Sequence, residues 1–321
     1  MRRTITSALL GAAVAIVAPL SASAAWPERP VTFVVPYAPG GLTDSIGRIT
    51  AQYVGKQLGQ TVVVENRGGA GGILGSDIVA KAKPDGYTFC VCGSGAISIA
   101  PFAQKGVNYR PLNDFEFIGM LNTNPQVVLV NSKLPIDSIP ALIDYAKKNP
   151  GKLNYGSSGV GGLMHFSVAL FESRTGTKMT HVPYAGGAPA TAAVLSGEAD
   201  LTFTNSTDAV PHLESKTVRA LAVTSLHRAK FAPNLPTVAD TLPNYDVIVW
   251  NGLMAPKGTP REIIEKLAGI LIGMSKDPGS IAAIERVGAS PDSRTTAQFH
   301  KFVEEESAQW SSLLKEIGYK P

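Results

Sequence analysis

Short apolar runs alternate along the chain with longer segments whose apolar residues recur at helical spacing. The first run, Val31 to Val35, leads through a glycine turn into a segment with apolar residues from Ile46 to Leu58. Further apolar runs follow at Thr61 to Val64 and at Tyr87 to Val91, with a helical segment between them. Unbroken runs of this length are typical of parallel strands that are covered on both faces. The pattern therefore predicts a βαβαβ unit.

The same alternation returns further along the chain and predicts a second α/β lobe. Its apolar runs lie at Phe115 to Leu121, Val127 to Val130, Leu153 to Tyr155, Ala199 to Thr204 and Val218 to Val223. Amphipathic segments near the end, including one from Thr296 to about Ile317, predict helices that pack back on the first lobe. The predicted fold class is therefore α/β, with two lobes that each contain a mainly parallel sheet flanked by helices.

Two glycine-rich turns each stand between an apolar run and a predicted helix. They are Tyr37-Ala-Pro-Gly-Gly-Leu-Thr-Asp44 and Asn154-Tyr-Gly-Ser-Ser-Gly-Val-Gly-Gly162. The first turn of a helix has unpaired N–H groups and a partial positive charge, so a strand, a glycine turn and a helix start together form an anion site. Because the two turns lie far apart in the chain, we expect one ligand to be held between two lobes.

The first residues have the composition of a secretory signal peptide. Arg2 and Arg3 precede an apolar run that is short for a membrane span, and small residues in an Ala-x-Ala pattern follow. We expect residues 1–24 to be removed, with cleavage after Ala24 or Ala25, and the mature protein to be free in a bacterial periplasm. An uncleaved membrane anchor is the alternative, against which Pro19 and the short apolar run both argue.

Charge and motifs exclude several classes of protein. The chain has 29 Lys and Arg against 25 Asp and Glu, too small a surplus to indicate a nucleic-acid-binding surface. G-x-S-x-G is absent from both Ser-rich turns, which argues against a serine hydrolase. The histidines are dispersed, and neither H-E-x-x-H nor a G-x-G-x-x-G within Gly68 to Gly75 is present, so no metal or cofactor is predicted. We expect no enzyme, and we expect the glycines of Gly68 to Gly75 to allow a helix to pack on the sheet.

The cysteines of the chain are Cys90 and Cys92, two residues apart in a predicted strand. Residues at this spacing in a strand have Cα atoms about 7 Å apart, which is poor geometry for a disulfide. Two thiols are also too few ligands for a metal site. We therefore expect both to be buried free thiols.

At this point the order of motifs closely resembles that of a known family, the periplasmic solute-binding proteins of tripartite tricarboxylate transporters, called the Bug or TctC family. The resemblance covers essentially the whole mature chain. It rests on Pro36-Tyr-Ala-Pro-Gly-Gly-Leu-Thr-Asp44, Val64-Glu-Asn-Arg-Gly-Gly-Ala-Gly-Gly72, Lys83-Pro-Asp-Gly-Tyr87, Tyr155-Gly-Ser-Ser-Gly159, His181-Val-Pro-Tyr-Ala-Gly-Gly187 and Arg219-Ala-Leu-Ala-Val-Thr-Ser225. Each motif alone is weak, whereas their shared order is specific.

The resemblance implies a periplasmic-binding-protein type II fold and a receptor that captures an organic acid through its carboxylate. Such receptors close around the ligand and deliver it to a membrane permease of one large and one small subunit. We assign residues 25–124 and 226–321 to lobe 1 and residues 125–225 to lobe 2, with the cleft between them, and we expect a monomer. An extracytoplasmic sensor that presents its ligand to a membrane histidine kinase is the alternative, since it needs the same cleft.

By resemblance, the carboxylate contacts the loop after the first strand and two loops of the second lobe. Strand ends and helix starts add Ser94, His165 and Asn205. The candidate ligand-binding residues are Tyr37, Gly40, Gly41, Leu42, Thr43, Asp44, Ser94, Ser157, Ser158, Gly159, Val160, Gly161, His165, Tyr184, Ala185, Gly186, Gly187, Ala188 and Asn205.

Asp44, His165 and Asn205 have open alternatives. Asp44 would repel a carboxylate, so we expect it to orient its loop or cap the next helix, with contact to a ligand amino group as the alternative. Thr43 can both cap that helix and offer its hydroxyl to the ligand. His165 either meets the far end of the ligand or packs within its helix, and Asn205 either faces the cleft or forms a turn.

One departure from the family pattern bears on the ligand. Many relatives carry a lysine where this chain has Ala185, so the rim of the pocket is less cationic here. A highly charged ligand such as citrate is therefore disfavoured. A monocarboxylate or an aromatic acid is easier to accommodate. The expected ligand class as a whole is a small mono- or dicarboxylate, aromatic acids included.

Overall fold

The computed structural model describes residues 26–320, so the predicted signal peptide and its cleavage site lie outside the described residues. The strands are β1 Val31–Val35, β2 Val62–Asn66, β3 Thr88–Gly93, β4 Phe115–Asn131, β5 Asn154–Ser157, β6 Thr180–Pro183, β7 Leu201–Asn205, β8 Val218–Val223, β9 Ile248–Pro256 and β10 Ser290–Pro291. The helices are α1 Leu42–Leu58, α2 Ile73–Ala80, α3 Ala100–Ala103, α4 Pro111–Asp114, α5 Ile139–Lys148, α6 Leu163–Thr175, α7 Gly187–Ser196, α8 Ser206–Ala209, α9 Arg261–Met274, α10 Pro278–Arg286 and α11 Thr296–Glu316. Within the described part of the chain, no helix is both long and apolar enough to cross a bilayer.

The first lobe is built on β2, β1 and β3, which are parallel to one another. Strand β9 pairs with β3 in the antiparallel sense, and the first half of β4 pairs with β9 in the antiparallel sense. Successive side chains of a strand point to opposite faces of the sheet. Phe33 accordingly packs in the core cluster under α1 and α9, whereas Val34 packs in the cluster on the opposite face. This burial on both faces explains why β1 reads as an unbroken apolar run.

The second lobe has the order β8, β4, β7, β5 and β6. Here β5 is parallel to both of its neighbours, and β4 is antiparallel to β7 and β8. Residues of α5 and α6 close the main core of this lobe, with Leu142, Phe166 and Phe171 fully buried. The α/β class and the two lobes agree with the sequence pattern.

The long strand β4 differs from the prediction, which had two separate strands at Phe115 to Leu121 and Val127 to Val130. One strand of 17 residues runs through both, and Asn122, Asn124 and Gln126 are buried in its middle. Buried amide side chains need hydrogen-bond partners. Asn122 pairs with Asn124 and Asn251, and Asn124 also donates to Ser206 at the start of α8. Gln126 Oε1 accepts from Ser167 of α6, whereas Gln126 Nε2 has no partner among the described residues. These polar residues interrupt the apolar run without interrupting the strand.

The last helix, α11, packs against both lobes rather than only the first. Phe299 and Val303 lie in a core cluster of the first lobe, whereas Trp310, Leu313 and Leu314 lie in the main core of the second lobe. The expectation that the late helices pack on the first lobe therefore holds for α9 and fails for the second half of α11. The assigned limits of the two lobes stay a prediction.

The two cysteines are joined in a disulfide, which corrects the expectation of free thiols. Their Cα atoms lie 5.2 Å apart, within the range that a disulfide takes and shorter than the spacing of a regular strand. Both residues are buried, as expected, and Ser76 Oγ lies 3.5 Å from the Cys92 sulfur. The strand is locally contracted, and this contraction removes the geometric objection to a bond.

Candidate ligand-binding site

A cleft of about 850 Å³ lies between the two lobes. In the first lobe it is lined by the loop after β1, by the glycines after β2 and by the residues after β3. In the second lobe it is lined by the starts of α6 and α7 and by the end of β7. The volume falls within the range of small-molecule sites, and the lining comes from strand ends, where ligands bind in α/β sheets.

Three helices begin at this cleft without a side chain that caps them. Glycines stand at the N-cap positions of α1, α6 and α7, namely Gly41, Gly162 and Gly186, and no described side chain accepts from the first amides of these helices. The N–H groups of a first helical turn have no partner inside the helix. The cleft therefore has unpaired amide donors on both sides, together with the positive ends of three helix dipoles.

Asp44 orders the first of these loops from behind. Its carboxylate accepts hydrogen bonds from the Gly40 amide at 2.9 Å, from Arg48 Nε at 3.0 Å and from Asn66 Nδ2 at 2.9 Å. Burial acts to raise the pKa of Asp44, but the hydrogen bonds from Arg48, Gly40 and Asn66 outweigh it and lower the pKa. Asp44 therefore stays ionised, holds the loop and does not line the cleft.

Thr43 lines the cleft but does not cap α1, because its hydroxyl donates to Asn251 Oδ1 at 2.7 Å. Asn251 Nδ2 donates in turn to Asn122 Oδ1 at 3.0 Å, and Asn122 donates to Asn124 at 3.3 Å. Asn124 Nδ2 then donates to Ser206 Oγ in the second lobe at 3.1 Å. We call these five residues the amide chain. It joins the start of α1 in one lobe to the start of α8 in the other.

The Tyr37 ring lines the first-lobe wall of the cleft and is enclosed by glycines. A Cβ at Gly72 would lie 2.8 Å from the Tyr37 ring and hydroxyl, so this ring needs a glycine beside it. Burial raises the pKa of Tyr37 to about 12, with a hydrogen bond to the Ala96 backbone acting in the opposite direction. The hydroxyl is therefore protonated at neutral pH, and it lies buried beside Gly72.

The glycine loop at residues 68–72 was not predicted to be part of the site, yet all of it lines the cleft. The expected helix-on-sheet packing is true of Gly75, where a Cβ would lie 2.6 Å from Arg67 O and 2.8 Å from Pro36 Cα. Gly69, Gly71 and Gly72 instead take positive φ angles, which are 144° at Gly69 and 98° at Gly72. Their position just after β2, at the same sheet edge as the loop after β1, is the sequence signal for the cleft.

In the second lobe, Ser158, Gly159 and Val160 line the cleft, and Ser157 lies beneath them. The Ser157 hydroxyl lies 2.6 Å from His181 Nε2 and 3.1 Å from both the Gly159 amide and the Gly159 carbonyl. Its role is therefore to hold the turn, since it does not line the cleft. Gly159 has φ 126°, a conformation that only glycine adopts without strain.

His165 supports the same turn and does not meet the cleft. Its Nδ1 accepts the Gly161 amide at 3.2 Å, and its ring stacks on His181 with centroids 4.1 Å apart and an interplanar angle of 7°. Tyr155 stacks on His181 at 4.9 Å. Burial, with the proximity of His181, lowers the pKa of His165 to about 4. The ring is neutral at pH 7, as an acceptor of an N–H must be.

The structure places most of the candidate residues at the cleft and a few behind it. Residues that line it are Tyr37, Gly40, Gly41, Leu42, Thr43, Ser94, Ser158, Gly159, Val160, Ala185, Gly186, Gly187, Ala188 and Asn205. Residues that lie outside the lining are Asp44, Ser157, Gly161, His165 and Tyr184. Tyr184 turns away because its hydroxyl donates to Glu198 at 3.1 Å on the surface.

Several lining residues were not predicted at all. The cleft is also lined by Gln104, Met164, Thr207, Asp208 and Asn251. Asn251 lies in the middle of the buried strand β9, and Gln104 lies after a short helix, so neither follows a glycine turn. Thr207 and Asp208 lie two and three residues after the predicted residue Asn205, and this nearness in sequence was the available signal.

The model of the tripartite tricarboxylate transporter family receptor matches residues 46–319. The chain belongs to this family. The match covers most of both lobes and confirms the resemblance drawn from the motifs. The family and its solved members are periplasmic solute-binding proteins and not enzymes, which also confirms that no catalytic activity is to be expected.

Solved structures of the family have the same fold as this chain. The periplasmic binding protein BugD is 35% identical, with a TM-score of 0.82 over 92% of this chain and 99% of that protein. An adipate-bound protein of R. palustris is 34% identical, with a TM-score of 0.86 over 92% of this chain and 100% of that protein. The malate-bound MatC of Rhodopseudomonas palustris is 31% identical, with a TM-score of 0.81 over 90% of this chain and 100% of that protein. The fold is thus that of a two-lobed periplasmic-binding protein.

Proposed function

We propose that this receptor binds an organic acid by its carboxylate in the cleft and delivers it to a two-subunit membrane permease of the tripartite tricarboxylate type. The observation that carries the proposal is the set of uncapped starts of α1, α6 and α7, which meet at the cleft from both lobes. The adipate and malate bound to relatives are both carboxylates, which supports the same ligand class.

Backbone amides can hold a carboxylate without a cationic side chain. Among the described residues, no Lys, Arg or His lines the cleft. A hydrogen bond to a charged group contributes about 1.5 to 3 kcal/mol, so four or five amides from the helix starts are enough for one carboxylate. Glycines at residues 40, 41, 159 and 186 leave the backbone open to the ligand, since a side chain there would cover the amides.

Because amides from both lobes face the same space, a carboxylate bound between them favours the closed arrangement of the lobes. Binding energy is thereby converted into a change of outer surface that a membrane partner can recognise. We place the mature receptor in the periplasm after removal of residues 1–24, as a monomer that carries its ligand to the permease.

A two-part experiment tests the proposal. The first part is a thermal-shift screen of the purified mature protein against monocarboxylates, dicarboxylates, aromatic carboxylates and amino acids, with neutral sugars as the matched controls. A ligand at 100 times its dissociation constant adds about 2.7 kcal/mol to the stability of the folded state. We expect a shift with at least one carboxylate and none with sugars. Shifts with sugars alone would refute carboxylate binding.

The second part tests delivery in the native host. Deletion of the gene should abolish uptake of the radiolabelled ligand, and the wild-type gene should restore it. Intact uptake together with loss of ligand-induced transcription would instead identify a sensor.

A further inference from the structure

The charge of the cleft is at odds with a ligand that is only an anion. Among the side chains of described residues that line the cleft, Asp208 is the one that carries a charge, and that charge is negative. Amide donors supply the attraction for one carboxylate, but nothing cationic offsets Asp208 within the lining. A ligand that adds only negative charge would therefore meet repulsion at this point.

Asp208 faces the ligand space directly. It lies in α8, immediately after β7, and its carboxylate sits against Gly187 at the start of α7, where a Cβ would collide with Oδ2. The Met164 sulfur borders the same point, 3.5 Å from that Cβ position. Gly187 and Met164 both line the cleft. The glycine at residue 187 thus leaves room for the acid as well as for a ligand.

Among the described residues, no side chain or backbone N–H donates a hydrogen bond to the carboxylate of Asp208. Asp44, by comparison, has three donors and does not line the cleft. Burial raises the pKa of Asp208, and the charge of His212 acts in the opposite direction. A partly buried carboxylate without a donor is an unfavourable arrangement that a bound ligand can relieve.

We infer that the cleft takes a zwitterion, whose carboxylate binds the helix-start amides and whose ammonium group pairs with Asp208. This inference rests on the proposed function, because it assigns the other end of a ligand already held by its carboxylate. An ammonium group can donate to Asp208 and to Asn205 or Thr207, which line the cleft beside it. The ligand class is therefore an amino acid or another amino-substituted carboxylic acid.

The test uses ligands that differ at one end only. Butyrate, 4-aminobutyrate, 4-hydroxybutyrate and succinate form one set, and matching sets of three, five and six carbons and of α-amino and 2-hydroxy acids cover other spacings. Dissociation constants are measured by calorimetry with the wild-type mature protein. In the set that fits the cleft, we expect the amino acid to bind about ten- to a hundredfold more tightly than the methyl-ended or hydroxyl-ended acid.

Asp208→Asn should remove most of this preference and improve binding of the diacid relative to the amino acid. Asp144→Asn makes the same change at an exposed residue of α5 in the same lobe and should leave the ranking as in the wild type. Thermal unfolding of each variant checks that it is folded, and the wild-type ranking remains a test if Asp208→Asn does not fold.

The outcomes separate the inference from the proposed function. Tight binding of a diacid or of a hydroxy acid in preference to every amino acid would overturn the zwitterion and leave carboxylate binding in place. An amino-acid preference that survives Asp208→Asn would overturn the role of Asp208. Absence of binding by every carboxylate tested would refute both the inference and the proposed function.

Discussion

The hydroxyl of Thr43 donates a hydrogen bond of 2.7 Å to Asn251 Oδ1 and so ties the first ligand loop to the middle of strand β9. The side chain of Asn251 is held in place for this contact, because its Nδ2 donates to Asn122 Oδ1 at 3.0 Å. Asn122, Asn124, Ser206 and Asn251 are all buried. The position of the ligand loop therefore depends on groups at the junction of the lobes.

Asn251→Ala should destabilise the protein more than an ordinary polar truncation. It leaves the Thr43 hydroxyl and Asn122 Oδ1 without their partner, and each buried unsatisfied group costs about 1 to 3 kcal/mol. We expect a loss of about 2 to 4 kcal/mol in the free energy of unfolding, measured by urea titration. Asn113→Ala, at an exposed position, is the matched control and should change stability by less than about 0.5 kcal/mol. Equal effects of the two would contradict the amide chain.

Gly40→Val should abolish tight ligand binding. Gly40 has φ 90° and lines the cleft, so a side chain adds backbone strain and covers the amides of the loop. Gly59→Val, at the other end of α1, is the control: Gly59 has φ 66°, and neither glycine has an atom within 4 Å of a Cβ. Both variants should lose roughly 1 to 2 kcal/mol of stability. Calorimetry should show at least about tenfold weaker binding for Gly40→Val only, and comparable losses would indicate a general effect.

His165 should make the protein less stable in mild acid. Its pKa is lowered from 6.5 to about 4, so the unfolded chain takes up a proton on this ring at a pH where the folded protein does not. The stabilisation is therefore complete above pH 6.5 and is lost as the pH falls towards 4. We expect this contribution to be about 1 kcal/mol, since the ring is only partly shielded from solvent. His165→Asn keeps an acceptor for Gly161 without a titrating ring.

Urea titrations at pH 7.5 and pH 5 measure this effect as a difference between the wild type and His165→Asn. The fall in stability between the two pH values should be smaller in the variant. An equal fall in both proteins would assign the pH dependence to other groups.

Glu306 should make the protein less stable as the pH rises, which is the opposite of the effect of His165. This carboxyl is buried and accepts a hydrogen bond of 2.6 Å from Trp250 Nε1, and burial raises its pKa from 4.5 to about 7. The folded protein therefore holds a proton that the unfolded chain has lost, so stability falls as the pH rises from 4.5 through 7. Glu306→Gln should be more stable than the wild type at pH 8, by about 2 to 3 kcal/mol. Glu304→Gln, exposed on the same helix, should change little, and a variant that is less stable at pH 8 would disprove a titrating acid.

The sequence predicts the elements of the fold where apolar residues alone decide them. Val31 to Val35 and its partners read as strands because both of their faces are buried, and the glycine turns mark helix starts because a cleft needs open backbone there. The pattern fails at Asn122, Asn124 and Gln126, since each has a hydrogen-bond partner that is distant in sequence. The prediction of free thiols at Cys90 and Cys92 was also wrong, because it assumed the Cα spacing of a regular strand.

The site was predicted in part for a similar reason. Residues next to a glycine turn, such as Thr43 and Ser158, could be assigned to the cleft from their position in the chain. His165 could not be placed, because its stacking on His181 depends on the pairing of β5 with β6. Asp208 was missed because an acid after a strand is also common at an ordinary helix start, and only the cleft geometry shows that its carboxylate has no such role.

Strand β4 supplies its first half to one sheet and its second half to the other, and α11 contributes to the cores of both lobes. If one lobe is missing, the sheet of the other lobe lacks strand pairing and its hydrophobic core lacks part of its packing. The receptor is two-lobed in shape but should melt in one cooperative transition, and a gene fragment that encodes one lobe should yield an aggregating polypeptide. The lobes can therefore move relative to each other without unfolding separately, because β4 and α11 belong to both lobes and would have to be disrupted before either lobe unfolds.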